Sequence, residues 1–314
     1  MSDYKTKEEI KKEIIKLFRS ELKGKKFQKN TSKHDGAEGH FAEKCMGITP
    51  NSDNSPDKWG FEQKKEAAKI TLFDLSASVY LFTPSTLSAN KNPVLQSLLK
   101  KHNLPHTGKK TELIKRLKEN SVTIPQTKEE LLKIKHGMPC DNISRKVFLQ
   151  TFGTPNPQKN NRYSWSGTCF PKYGTEFNHC GQRMLFDTEN NLLIEYSFLE
   201  DKREQAVKDK FPEFVKNHHG IFPIAIWKQE TLETTISNKF GVLGFYILNK
   251  DSKGFYESIS FGNIIDFEKV KSSIENGNVI LDSGMKDGGG SRNYSHFRGT
   301  PCKFWNGLID ETIN

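Results

Sequence analysis

The most informative stretch of the chain, residues 36–64, reads GAEGHFAEKCMGITPNSDNSPDKWGFEQK. It predicts a short helix from about Ala37 to Met46, because Gly47 follows as a stop signal and a turn rich in Pro, Asn, Ser and Asp comes next. The composition then predicts strands at Gly60–Lys64 and Lys69–Leu75. The stretch therefore predicts a helix, an extended turn and two strands.

Three side chains around the first strand have the types that metal-assisted hydrolysis needs. Side chains alternate along a strand, so Glu62 and Lys64 project to one face while Phe61 and Gln63 face away. Asp57, on the preceding turn, can place its carboxylate beside Glu62. Two carboxylates suit Mg²⁺, which keeps oxygen ligands and several waters, and the Lys64 ammonium can orient water or stabilise a phosphate oxygen. The same residue types also occur on ordinary solvated strand edges, so the surrounding pattern has to decide.

Apolar spacing outside this stretch predicts further helices and strands. Ile10, Ile14 and Phe18 recur at helical spacing, which predicts a helix over Thr6–Leu22 that ends before Gly24. Downstream, the alternation is typical of a layered α/β protein. The predicted strands are Asn191–Phe198, Pro223–Trp227, Gly241–Leu248 and Phe255–Phe261, and the predicted helices are Glu230–Phe240 and Ile264–Glu275.

The composition changes between Lys91 and Asn120. Eight Lys and Arg residues face two acidic residues there, a net charge of +6 within a chain whose net charge is +10. Two leucine-rich groups predict two short helices: Leu95, Leu98 and Leu99, then Leu113, Ile114 and Leu117. A polar linker is expected to follow, up to about Ile143.

The composition of the whole chain limits its class. With 314 residues and 34% hydrophobic residues it can bury an ordinary core, and its positive charge favours a polyanionic partner, most often nucleic acid. No long apolar run predicts a membrane span or a signal peptide, so we expect a cytoplasmic protein with no membrane partner. Five scattered cysteines without a C-x-x-C pair predict neither a disulfide framework nor a zinc module.

The order of the central features resembles the PD-(D/E)xK nucleases of the MutH, Sau3AI and MvaI/BcnI group. The shared features are a helix carrying Glu43, the Gly-Ile-x-Pro-Asn-Ser-Asp turn, Pro56-Asp57, and Gly60-x-Glu62-x-Lys64. The resemblance implies an α/β fold, a PD-(D/E)xK restriction-endonuclease-like mixed sheet flanked by helices. It implies Mg²⁺ as the cofactor and an active site formed by Glu43, Asp57, Glu62 and Lys64.

The resemblance also implies which atoms hold the metal. Asp57 and Glu62 are the expected ligands, together with the backbone carbonyl of Gln63. The family usually has a branched apolar residue where this chain has Gln63. We therefore expect the packing behind this strand to differ from the family pattern.

Looser matches extend the resemblance from about Lys5 to Lys303. Ser144–Gly167, Trp227–Phe240 and His296–Lys303 are similar to later segments of the MvaI/BcnI family, whose C-terminal part reads base edges in the major groove. By position, this implies DNA contacts by Asp282, Lys286, Arg292, His296, Arg298 and Lys303. These residue types suit a site containing G·C pairs, and a basic tail that contacts only phosphates is the alternative.

The basic segment Pro93–Asn120 is similar to a SAP motif, a short DNA-binding helical hairpin. The similarity lies in Leu98, Leu104, Gly108-Lys109-Lys110, Glu112-Leu113 and Arg116-Leu117. It implies phosphate contacts by Lys100, Lys101, Lys109, Lys110 and Arg116, with salt-dependent affinity, and a merely solvated hairpin is the alternative. The predicted organisation is a nuclease domain at 1–85 and 140–314, whose last part recognises DNA, interrupted by a SAP-like insert at 91–122.

These patterns together predict a Mg²⁺-dependent type II restriction endonuclease that cuts double-stranded DNA at a short specific sequence. The resemblance implies a monomer that nicks the strands in turn, paired in function with a cognate DNA methyltransferase. Two alternatives stay open: a MutH-like mismatch-repair nicking endonuclease, and a catalytically inactive DNA-binding protein that acts through its SAP-like hairpin. The intact set of Asp57, Glu62 and Lys64 argues against the last.

Overall fold

The structure, a computed structural model, describes residues 5–28, 36–49, 55–83, 92–122, 128–139, 143–288 and 293–314. Its internal contacts divide the chain into two compact units. Unit 1 comprises Met1–Asp74, Glu230–Leu281 and His296–Asn314, and unit 2 comprises Leu75–Gln229 and Asp282–Ser295.

The helices and strands alternate along the chain, as a layered α/β protein requires. The α-helices of the described residues are α1 (Lys7–Glu21), α2 (Ala37–Cys45), α3 (Asn92–Lys101), α4 (Lys110–Glu119), α5 (Lys128–Lys135), α6 (Arg145–Phe152), α7 (Gln205–Lys208), α8 (Glu213–Lys216), α9 (Gln229–Phe240) and α10 (Phe267–Glu275). The strands are β1 (Glu62–Lys65), β2 (Ile70–Ser76), β3 (Val79–Tyr80), β4 (Thr154–Asn156), β5 (Arg162–Trp165), β6 (Cys180–Phe186), β7 (Leu192–Asp201), β8 (Ile221–Trp227), β9 (Phe245–Lys250), β10 (Tyr256–Gly262), β11 (Val279–Ser283), β12 (Met285–Lys286), β13 (Tyr294–Gly299) and β14 (Ile309–Ile313).

Local signals set the first two helices where the sequence predicts them. Thr6 caps α1 in a capping box: its side chain accepts from the Glu9 N–H at 3.3 Å, and the Glu9 carboxylate accepts from the Thr6 N–H at 2.7 Å. Gly47 follows α2 with φ +62°, a left-handed conformation that suits glycine. Both predicted helices are confirmed.

Unit 1 contains a mixed four-stranded sheet in the order β1-β9-β10-β14. β1 is an edge strand and runs parallel to β9, with Glu62 opposite Phe245, while β10 is antiparallel to both β9 and β14. Phe61, at the start of β1, is fully buried in a core with the apolar faces of α1 and α2. The predicted strand Gly241–Leu248 begins later, at Phe245, because the backbone approaches itself at Gly244. A Cβ there would lie 2.3 Å from the carbonyl oxygen of Gly262.

Unit 2 contains an antiparallel sheet in the order β3-β8-β7-β6, covered by aromatic side chains. The Tyr80 ring meets Trp165 and Trp227 edge to face, with centroid distances of 6.2 Å to each. A smaller sheet pairs β12, β5 and β4 in that order. A further sheet has the strand order β11-β13-β2. Each of its three strands contains a boundary between the two units.

The two leucine-rich helices predicted in the basic segment are confirmed as α3 and α4. Their buried side chains, Leu95, Leu99, Leu113 and Leu117, form a core of their own. The predicted polar linker up to Ile143 is wrong, because α5 lies within it. Leu132 and Lys133 of α5 are buried, and the Lys133 ammonium donates to the carbonyl oxygens of Leu81 and Thr83. The lysine-rich composition of this segment predicts solvent-exposed side chains, but Lys133 is buried and bound to backbone carbonyl oxygens.

Candidate active site

Asp57 and Glu62 lie on either side of a tight turn at the start of β1. Asp57 Oδ2 accepts from the Gln63 backbone N–H at 2.9 Å, which ties the turn to the free edge of the strand. The Glu62 side chain is only 2% exposed. The negative charge of Glu62 acts to raise the pKa of Asp57, so the two carboxylates are close enough to interact electrostatically.

Two lysines hold one oxygen of Glu62. Glu62 Oε1 accepts from Lys64 Nζ at 2.8 Å and from Lys239 Nζ at 2.9 Å. Lys64 Nζ also donates to the carbonyl oxygen of Leu72 on β2 at 3.0 Å, so its position is fixed by two partners. The side chains of Lys64 and Lys239 are 13% and 18% exposed, which strengthens their attraction to the carboxylate.

Sequence reasoning missed Lys239. It lies in the last turn of α9, the helix that leads into β9, and β9 pairs with β1. The available signal was topological: a lysine at the end of a helix that precedes the partner strand of β1 arrives beside Glu62. No local motif connects the two residues, which are 177 positions apart.

The second oxygen of Glu62 is different. Glu62 Oε2 is buried and has no hydrogen-bond partner among the residues that the structure describes. A buried carboxylate oxygen without a donor is destabilising, and a cation is the partner that a carboxylate oxygen accepts most readily. The site therefore fits a metal ion on the side of Glu62 that faces away from the lysines.

Together, burial and neighbouring charges raise the pKa of Asp57 and lower the pKa of Glu62. Burial, and then the negative charge of Glu62, raise the pKa of Asp57 to about 6, although Lys64 and the Gln63 N–H act the other way. Burial also acts to raise the pKa of Glu62, but the ammonium groups of Lys64 and Lys239 outweigh it and hold that pKa below its usual value. Glu62 is thus kept ionised, and a cation bound beside the two groups would stabilise the charged form of Asp57.

Gln63 makes a polar contact behind β1. Gln63 Oε1 accepts from the buried Tyr246 hydroxyl at 2.7 Å, across the parallel pair of β1 and β9. Burial raises the pKa of Tyr246 well above its usual value, and the charges of Asp57, Glu62 and Glu43 add to this. The hydroxyl therefore stays protonated and can donate to the amide oxygen, which satisfies a polar side chain inside an apolar core.

Glu43 lies on α2, where its Oε2 is 3.2 Å from His40 Nδ1. Like the charges of Asp57 and Glu62, the charge of Glu43 acts to raise the pKa of the Tyr246 hydroxyl, so all three predicted carboxylates interact electrostatically with that hydroxyl. Within the described segments no group of three or more His, Cys, Asp or Glu side chains forms a metal-binding cluster. The candidate ion site is thus a two-carboxylate site, a donor set that suits Mg²⁺ with its retained waters.

The residues predicted to contact DNA in the C-terminal part are spread over both units. His296 and Arg298 lie on β13, in unit 1, and the ring of His296 is hydrogen-bonded to the carboxylate of Asp74 on β2. Lys303 is exposed in a helical turn of unit 1, whereas Asp282 on β11 and Lys286 on β12 belong to unit 2. Arg292 lies outside the described residues.

The basic residues predicted in the α3–α4 hairpin fall into two groups. Lys100, Lys101 and Lys109 are exposed and Lys110 is partly exposed. Arg116 instead binds its own hairpin, since one guanidinium nitrogen donates to the carbonyl oxygens of Pro105 at 2.8 Å and Thr107 at 2.6 Å. Arg116 thus orders the loop that presents the lysines.

Comparison with known proteins adds the family to this geometry. The sequence model of the LlaMI restriction endonuclease family matches residues 20–89 and 127–313, and that of the SAP domain matches residues 86–120. The chain belongs to the LlaMI restriction endonuclease family. It is 31% identical to the type II restriction enzyme ScrFI of Lactococcus lactis subsp. cremoris, over 96% of this chain and 97% of that enzyme.

A solved structure supports the fold. The complex of restriction endonuclease MvaI with its cognate DNA substrate matches with a TM-score of 0.50, over 100% of this chain and 98% of that chain, at 12% sequence identity. At this identity the match shows the fold alone, which confirms the predicted restriction-endonuclease-like α/β architecture. This member of the LlaMI family is a type II restriction endonuclease with a SAP domain. No helix in the described ranges is long and apolar enough to cross a membrane.

Proposed function

We propose that this LlaMI-family endonuclease hydrolyses phosphodiester bonds of double-stranded DNA at a short specific sequence, with Mg²⁺ held by Asp57 and Glu62. The observation that carries the proposal is the buried Glu62 Oε2, which has no partner in the described part of the chain, beside a carboxyl group whose pKa is raised to about 6. Mg²⁺ between these groups would polarise the phosphoryl oxygen and lower the pKa of a bound water.

The backbone carbonyl of Gln63 is the proposed third ligand. Glu62 and Glu66 donate their N–H groups toward β9, whereas Gln63 donates toward Asp57 from the opposite edge of β1. The N–H and carbonyl of one residue in an extended strand point to the same edge. The Gln63 carbonyl therefore lies on the edge that carries Asp57.

The remaining side chains position water and phosphate. Lys64, fixed between Glu62 and the Leu72 carbonyl, orients the attacking water and stabilises charge on a phosphate oxygen. Lys239 keeps Glu62 ionised from the other side. Glu43, on α2, supports the cation from a greater distance.

The proposed DNA contacts follow the sequence prediction. The SAP-like insert at 91–122 binds flanking duplex through Lys100, Lys101, Lys109 and Lys110, and the nuclease domain is formed by 1–85 and 140–314. His296 and Arg298 on β13, together with Asp282, Lys286 and Lys303, contact bases or phosphates. We further propose that one chain acts as a monomer and cuts the strands in turn, and that a cognate methyltransferase protects the host DNA.

The test uses unmethylated plasmid DNA with and without Mg²⁺. Wild-type protein should give discrete Mg²⁺-dependent fragments after a transient nicked circle, and Glu62→Gln should abolish them while DNA binding persists. Glu66→Gln is the matched control, since Glu66 is an exposed glutamate just beyond the same strand. Cleavage by Glu62→Gln at the wild-type rate would refute the proposed site, and nicked circles that are never linearised would favour a nicking endonuclease.

A further inference from the structure

The turn between Asp57 and Glu62 carries a tryptophan in a backbone conformation that tryptophan rarely adopts. Lys58 and Phe61 pair across the turn, with N–H to carbonyl distances of 2.9 and 2.8 Å. The two residues between them, Trp59 and Gly60, have φ values of +48° and +91°. Positive φ at both central positions is the pattern of a type I′ turn, whose first position ordinarily holds Asn, Asp or Gly. A bulky aromatic side chain at this position is strained.

Packing does not account for the tryptophan. Its side chain is 47% exposed, whereas the other three tryptophans of the chain, Trp165, Trp227 and Trp305, are fully buried. Gly60 makes the close contact instead, since a Cβ there would lie 2.9 Å from Val242 Cγ1. A residue that strains the backbone without filling the core points to a role outside folding.

The surroundings of the ring match a nucleic-acid strand. Lys58 Nζ, which also donates to the Gly47 carbonyl oxygen, lies 4.5 Å from the Trp59 ring centroid. Lys5 Nζ, which is paired with the Glu13 carboxylate, lies 6.0 Å from the same centroid. Val242, 54% exposed, adds apolar surface beside Gly60. A DNA strand alternates anionic phosphates with the apolar faces of deoxyribose rings, so an apolar surface flanked by ammonium groups complements it. This surface begins two residues from Asp57.

We propose that Trp59 positions the DNA strand that is cut: its ring packs on the deoxyribose next to the scissile phosphate, while Lys58 faces a neighbouring phosphate. The proposal rests on the proposed function, because it places the scissile phosphate at Asp57 and Glu62. The strained turn fixes the ring relative to Asp57, so the sugar contact sets the distance between the phosphate and the carboxylates. Trp59 thus acts in binding and alignment of the substrate.

The first test separates this role from a structural one. Trp59→Asn should melt at the same or a higher temperature, because Asn tolerates positive φ, yet its Kd and KM for a duplex of the mapped cleavage sequence should rise about 10-fold. The matched control is Phe255→Asn, which removes a 39% exposed ring that also has a lysine over it, Lys26 Nζ at 5.5 Å. That control should leave Kd and KM unchanged. A lower melting temperature for Trp59→Asn, or unchanged Kd and KM, would overturn the proposal.

The second test observes the ring directly. Because the other tryptophans are buried, acrylamide quenching of the intrinsic fluorescence reports mainly on Trp59. Adding the same duplex in EDTA should protect Trp59 from quenching, and Trp59→Phe should lose this response. Quenching that bound DNA leaves unchanged would refute the contact. The measurement needs no cleavage, so it is independent of the active-site assignment. If DNA protects Trp59 but Glu62→Gln still cuts, the placement of Trp59 beside the scissile phosphate is wrong.

Discussion

Replacing Asp57 by Asn should stabilise the metal-free protein and abolish its response to Mg²⁺. In the folded chain the pKa of Asp57 is about 6, against an ordinary value of 3.8, because burial and Glu62 disfavour its charge. The folded state therefore binds this proton more tightly than the unfolded state. Protonated Asp57 therefore contributes its full stabilisation to the free energy of unfolding below about pH 4. This contribution is lost as the pH rises from about 4 to about 6, and it no longer changes at higher pH.

The size of the effect follows from the shift. About two pKa units at 1.36 kcal/mol each give at most about 3 kcal/mol of destabilisation at neutral pH. Asn lacks the charge but keeps an oxygen to accept from the Gln63 N–H. Asp57→Asn should therefore equal wild type near pH 4 and exceed it by about 1 to 3 kcal/mol above pH 6.5.

The assay is urea unfolding in EDTA at a series of pH values, repeated with Mg²⁺. Mg²⁺ should stabilise wild type at pH 7.5 and leave Asp57→Asn unchanged, since a ligand stabilises only a state that binds it. Asp310→Asn, at an exposed aspartate, is the control and should follow the wild-type pH profile. An Asp57→Asn variant that is less stable than wild type at pH 7.5 in EDTA, or a difference that does not change with pH, would refute the reasoning.

Three further predictions follow from other contacts. Lys239→Met removes one of the two ammonium groups that hold Glu62 and should slow cleavage about 10- to 100-fold. The expected loss is smaller than the roughly 100- to 1,000-fold expected for Lys64→Met. Cleavage rates at saturating Mg²⁺ test this, and the control variant Lys269→Met should match wild type. Tyr246→Phe leaves the buried Gln63 side-chain oxygen without its donor and should lower the free energy of unfolding in urea by about 1 to 3 kcal/mol. The double variant Tyr246→Phe/Gln63→Met should recover most of this loss. If the losses of the two single variants add in the double variant, the pairing is contradicted. Deleting Pro93–Asn120 removes a net charge of +5 within the SAP-like insert and should weaken DNA binding and reduce the salt slope by at most about 4.5, while cleavage at low salt persists. An unchanged slope in binding titrations would show that the insert does not touch phosphates.

The sequence predicted the features that depend on side-chain alternation along a single strand and on the order of neighbouring motifs. Alternation along β1 predicted that Glu62 and Lys64 share a face, and their side chains are 2.8 Å apart. The same alternation predicted that Phe61 points away, and it lies in the core with Tyr246. Strand period is exact, so a single correct strand assignment orients every side chain on it.

The sequence did not predict contributions from distant segments or from backbone strain. Lys239 reaches Glu62 only because β9 pairs in parallel with β1, and no local signal encodes that pairing. Lys133 looked like part of a solvated linker, because a buried lysine is recognisable only once its carbonyl partners are known. Trp59 occupies a turn position that favours Asn, and this exception is recognisable only from its backbone φ and its exposure in the structure.

The central claim is that Asp57 and Glu62 hold the divalent cation. Its most direct test is anomalous diffraction from crystals of this endonuclease soaked with Mn²⁺ in place of Mg²⁺. We predict a peak within coordination distance of both carboxylates and of the Gln63 carbonyl, and no such peak in Asp57→Asn crystals. A Mn²⁺ site elsewhere, with none between Asp57 and Glu62, would contradict the account.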